Sequence, residues 1–104
     1  MTKLKFILAS TILITSSVAL AEKVTPTGVG CDTESGSCFI ILKDAFVGTQ
    51  CPNKTQLRFN DEKRGTQGQY SAALAAFMAG KKLEVDSTSC YDNFPTPSYL
   101  YVTD

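Results

Sequence analysis

Hydrophobic and polar positions follow several different rhythms along this chain, and each rhythm predicts an element. Lys3 and Lys5 precede a largely apolar stretch from Phe6 to Leu20 that ends in Ala19-Leu20-Ala21 and is diluted by Ser10, Thr11, Thr15, Ser16 and Ser17. That is the pattern of a Sec-type export signal cut before Glu22, whereas a membrane anchor needs a purer apolar core of roughly 20 residues. From Glu22 to Gly30, Val24 and Val29 with Pro26 and Gly28 predict an extended edge segment. Cys38 to Lys43 is a short apolar run with two β-branched residues, a strand by length and composition. Gln56 to Asn60 alternates polar and apolar, so Leu57 and Phe59 are expected to face inward.

The period then changes. Asn60 to Gly68 is a charged, glycine-containing loop, and its Lys63-Arg64 pair reads as a solvated turn. Tyr70, Ala73, Leu74, Phe77 and Met78 fall at helical spacing and predict one apolar stripe on a helix over Gln67 to Ala79. Gly80 is the expected stop, with Lys81 and Lys82 near the negative end of the helix dipole. Leu83-Glu84-Val85 alternates again and leads to Asp86-Ser87-Thr88-Ser89-Cys90, Tyr91 to Pro97 reads as a loop, and Tyr99 to Val102 is the final strand. There Leu100 and Val102 share one face, and Tyr99 and Tyr101 the other.

This order predicts a mainly β domain with one α-helix over residues 22–104, arranged β-β-β-α-β-β. That is the order of the five-stranded OB barrel. A twisted antiparallel sheet with a helix on one face is the fallback, and both place Tyr70, Leu74 and Phe77 against the sheet.

Composition narrows the chemistry. The chain has 104 residues, four Cys, no His and no Trp. Without His there is no Ser-His, Cys-His or His-metal constellation. Removal of residues 1–21 deletes two lysines and no acid, leaving 83 residues with a formal charge of −2. A nucleic-acid binder needs a positive surplus to neutralise phosphates, so this charge and export weigh against that class, and no nucleic-acid partner is expected. A chain of this size buries only roughly 60–65% of its unfolded surface and needs covalent help.

Cys31, Cys38, Cys51 and Cys90 all follow the export signal, where an oxidising compartment favours disulfides. Their intervals of 7, 13 and 39 do not suit zinc, whose ligands usually pair two to four residues apart. Four cysteines allow three pairings. The turn-forming Asp-Thr-Glu-Ser-Gly-Ser between Cys31 and Cys38 favours a hairpin bridge there, leaving Cys51 with Cys90.

The stretch Ser71 to Val85, SAALAAFMAGKKLEV, followed by Cys90 and closing with Tyr99-Leu100-Tyr101-Val102, resembles a group of small exported bacterial proteins that look like the B subunits of subtilase cytotoxin and typhoid toxin. The resemblance covers Ser71 to Val102, with Cys51 matching a cysteine upstream of the helix. It implies an OB-type barrel and, for the toxin branch, a ring of five subunits that bind sialylated glycans.

A sugar site needs an aromatic platform beside groups that hydrogen-bond ring hydroxyls. Tyr91, Asp92 and Asn93, with Phe94, Tyr99 and Tyr101, supply those types. Asp92 and Asn93 equally suit a turn, and Phe94 a cover for the barrel end. A glycosidase would need two carboxylates across one bond, and Asp61, Glu62, Asp86 and Asp92 have no spacing that specifies a cleft. The expectation is an exported, non-enzymatic, cofactor-free binding module, periplasmic or secreted, without a membrane span once the signal is removed. Its ligand surface is placed at Tyr91, Asp92, Asn93, Tyr99 and Tyr101, and self-association is allowed for. The alternative is a periplasmic protein-interaction or inhibitor subunit pairing through a strand edge.

Overall fold

Short alternating segments become strands here, and the one long run of helix formers becomes the helix. The computed structural model describes residues 21–104; the expected export signal, residues 1–21, lies outside the described residues apart from Ala21. Chain order is β1 (Glu22–Val24), β2 (Pro26–Cys31), β3 (Cys38–Leu42), β4 (Gln56–Arg58), α1 (Thr66–Ala79), β5 (Lys82–Asp86), β6 (Ser89–Tyr91), β7 (Phe94–Thr96) and β8 (Tyr99–Thr103). Among the described residues the protein is mainly β with one helix and two disulfides, Cys31–Cys38 and Cys51–Cys90. No helix among the described residues is long and apolar enough to cross a membrane.

All strand pairs are antiparallel, in sheets of order β1-β5-β8, β2-β3-β4 and β6-β7. Only Thr25 separates β1 from β2, and its carbonyl accepts the Lys43 amide at 2.9 Å. One bent strand therefore carries the chain from one three-stranded sheet into the other, and pairing runs β4-β3-β2, around Thr25, then β1-β5-β8. The closed five-stranded barrel expected from element order is not formed. The sheets stay open, with eight strands among the described residues instead of five. The bend at Thr25 divides one strand into two, and residues 89–96 form a hairpin that takes up most of the 91–97 segment predicted as a loop. Closure would require β4 to meet β8, but β4 has only three residues and packs beside β7.

The core sits between the two larger sheets and under α1. Ile40, Leu57, Leu83 and Val85 are completely buried, and Phe46 and Phe59 nearly so. Each such side chain stabilises the fold by about 1.5–3 kcal/mol relative to exposure. Phe59 meets Tyr70 edge to face at 5.6 Å. Leu57 and Phe59 thus point inward as their alternation predicts.

The helix is where expected but turned. Its fully buried residues are Ala73 and Ala76, Tyr70 is partly buried against the core, and Phe77 and Met78 lie exposed at 37% and 77%. Packing against β8, β2, β5 and β3 at once demands small side chains at the contact, so the alanines go inward and the larger residues to the flank. The expectation that Phe77 packs on the sheet is corrected accordingly. Gly80 ends the helix in the left-handed region, its amide bonding Phe77 O and the next amide, Lys81, bonding Ala76 O at 2.8 Å, a Schellman closure.

Candidate functional site

The candidate residues fall into two groups on different elements. Tyr91, Asp92 and Asn93 belong to the β6-β7 hairpin, Tyr99 and Tyr101 to β8. Asp92 and Asn93 have φ of 53° and 70° and form the two-residue tip, the primed geometry that matches strand twist and tolerates Asp and Asn. The Asn93 carbonyl accepts the Asn53 amide at 3.0 Å, and the Tyr91 hydroxyl donates to Asp61 at 3.3 Å. Burial and then the neighbouring Asp61 carboxylate push the Tyr91 phenol up from its ordinary value.

Tyr99 and Tyr101 pair with Asp86 and Glu84 across β5 and stack edge to face at 5.6 Å. They are 53% and 44% exposed. Partial burial, then Glu84, raises the Tyr101 phenol. Lys81 does not serve the helix end: its ammonium pairs with Asp104, whose carboxyl is thereby held below the usual range.

A more demanding arrangement stands beside the first group. In the β2-β3-β4 sheet, Val29, Ile40 and Leu57 form the core-facing row, so Gly30, Phe39 and Arg58 line up on the outer face. A Cβ on Gly30 would lie 2.9 Å from Phe39 Cζ, which shows how closely the ring lies over the bare backbone of β2. The Arg58 guanidinium stands 4.6 Å from the Phe39 centroid and 5.1 Å from that of Phe94, which the β6-β7 hairpin brings in from the side. Arg58 Nη1 donates to Oγ of the fully buried Ser37 at 3.1 Å, and Nε donates to Gln56 at 3.2 Å. Among the described residues no carboxylate is within ion-pair distance of Arg58, the one such pair being Lys81 with Asp104. The guanidinium is thus fixed in direction and charged, with donors to spare.

Because Tyr91 and Phe94 are cross-strand partners on one hairpin face, the predicted tip residues and this arginine share a neighbourhood. Arg58 and Phe39 carry no sequence signal of their own, since their alignment needs the register of three strands. Two crevices of about 350 and 360 Å³ flank the start of α1, one lined by Phe59, Asp61 and Tyr70, the other by Lys63, Gln69, Thr96 and Ser98. Among the described residues no group of three or more His, Cys, Asp or Glu could hold a metal. Comparison with protein-family models, curated proteins and solved structures gave no match.

Proposed function

We propose that this chain is an exported, non-enzymatic binding module that holds an acidic glycan on the outer face of β3 and β4. The observation that carries it is Arg58, stacked on Phe39 and Phe94, aimed by Ser37 and Gln56, and without a carboxylate in ion-pair distance among the described residues. A guanidinium with free N–H groups takes a carboxylate in two parallel hydrogen bonds, while ring faces beside it accept the apolar side of a sugar. The tip residues Tyr91, Asp92 and Asn93 supply hydroxyl, carboxylate and amide groups for the remaining ring hydroxyls. Export rests on the pattern of residues 1–21. An OB-type ancestry is supported by the pairing path β4-β3-β2, β1-β5-β8 with α1 between β4 and β5, the connectivity of such a barrel left open.

The test is a glycan array followed by titration with sialyllactose against lactose. Acidic glycans are expected to bind, with Arg58→Gln weakening them about tenfold or more, as loss of a charge-assisted pair requires. Arg58→Lys, which keeps charge but loses the planar fork, should rescue only in part. Equal binding of lactose and sialyllactose, or a blank array, overturns the reading. A blank array with a stable protein partner would favour the interaction-subunit alternative, which draws on the unpaired edge of β8.

A further inference from the structure

The second group of candidate residues suits a different task from the first. Among the described residues β8 ends its sheet, so one row of its backbone groups is unpaired. Edge strands in natural proteins are guarded by lysine, proline, a bulge, an inward charge or a covering element; Tyr99-Leu100-Tyr101-Val102-Thr103 has none of these residues, and although α1 packs against the strand, Tyr99, Tyr101 and Val102 stay exposed. Three of the exposed large hydrophobics, Tyr99, Tyr101 and Val102, lie on this one strand, and two more, Phe77 and Met78, on the helix that packs against it.

We infer that β8 pairs antiparallel with β8 of a second copy about a twofold axis at Tyr101, joining two three-stranded sheets into one of order β1-β5-β8-β8-β5-β1. The sequence of the strand is self-complementary in that register. Tyr101 faces the partner's Tyr101, Tyr99 faces Thr103, and Leu100 faces Val102, each pair on a common face. No charge lies within the paired segment. One position beyond it Asp104 meets Ser98, and that carboxylate is already balanced by Lys81, with the Lys23 ammonium on its backbone carbonyl. An interface in which residue i meets j and j meets i closes after two copies. A ring such as the toxin-like reading implies would need a head-to-tail contact between two different surfaces, which a strand that matches itself does not supply.

Full-length chain would be expressed, and the oxidised exported protein examined by sedimentation and native mass spectrometry over a concentration series. A monomer-dimer equilibrium is expected, and Tyr101→Lys, which sets like charges face to face on the axis, should abolish the dimer while far-ultraviolet dichroism stays unchanged. Tyr101→Cys should cross-link to itself with both native bridges intact by peptide mapping, whereas Tyr99→Cys should not, because its partner is Thr103. Should Tyr101→Lys disturb the fold, the cysteine pair still decides. A monomer at all concentrations, a five-copy mass, or equal cross-linking of both cysteine variants overturns the inference. Arg58→Gln should leave the mass unchanged, which keeps this outcome separate from the glycan reading.

Discussion

Gly30 shows how much one missing side chain can decide. Its α-carbon faces Phe39 across the β2-β3 ladder, and the ring occupies the space a methyl group would need. Gly30→Ala must therefore move Phe39, and Arg58 loses one of its two stacking rings with it. The expected cost is about 1–3 kcal/mol, in the range of overpacked sites, read as a lower urea midpoint. An unchanged midpoint would show that the ring can swing aside without loss. At the same scale the backbone of Asp92 and Asn93 has its own requirement: positive φ at both positions is what the two-residue turn demands. That residue choice was legible in the sequence as turn chemistry, but not that the flanking Tyr91 and Phe94 would become partners in a hairpin.

At the scale of elements, strands were read more faithfully than the loop between them. Residues 38–43, 56–60, 83–85 and 99–102 were expected as strands, and β3, β4, β5 and β8 form there. The 89–96 hairpin was hidden because Pro95 and Pro97 argue against a strand, yet Pro95 is buried in β7 opposite Cys90, within a two-stranded ribbon where a missing donor can be tolerated. Periodicity gives the helix its place in the sequence but not its rotation about its axis. Hydrophobic periodicity ranks Leu, Phe and Met above Ala, while close packing on two sheets ranks size first, and size wins. Ala73→Leu is accordingly expected to destabilise by about 1–3 kcal/mol. Met78→Gln, at an exposed position, should stay within about 0.5 kcal/mol. Thermal unfolding of the two variants checks the rotation directly, since the stripe read from sequence makes Met78 a core position.

For the whole molecule, the disulfides compensate for open sheets. Cys31–Cys38 closes a hairpin already held by the β2-β3 register, whereas Cys51–Cys90 ties the 43–55 segment to β6 across a separation of 39 residues. Chain-entropy estimates assign about 4 kcal/mol to the long loop and about 2.5 kcal/mol to the short one. Replacing Cys51 and Cys90 together by alanine should therefore lower stability more than replacing Cys31 and Cys38. Buried Cys51, 2% exposed, adds a packing loss on top. Urea titration of the two double variants decides it, and the reverse order would mean that the β2-β3 turn depends on its bridge more than on its hydrogen bonds.

Local chemistry was sufficient for what depends on neighbours in sequence. The turn-forming residues between Cys31 and Cys38 favoured their pairing and left Cys51 for Cys90; strand alternation identified Leu57 and Phe59 as core; absence of histidine excluded the commonest catalytic groups. Tertiary structure alone decided what depends on register and on shape. The row Gly30-Phe39-Arg58 exists only when three strands align, Phe94 joins it only through a hairpin from the other side of the helix in sequence, and the unpaired edge of β8 follows from a sheet that does not close. Periodicity encodes which side of a segment avoids water, but not which distant side chains share that side, because cross-strand alignment is a property of pairs of segments and is written in neither one by itself.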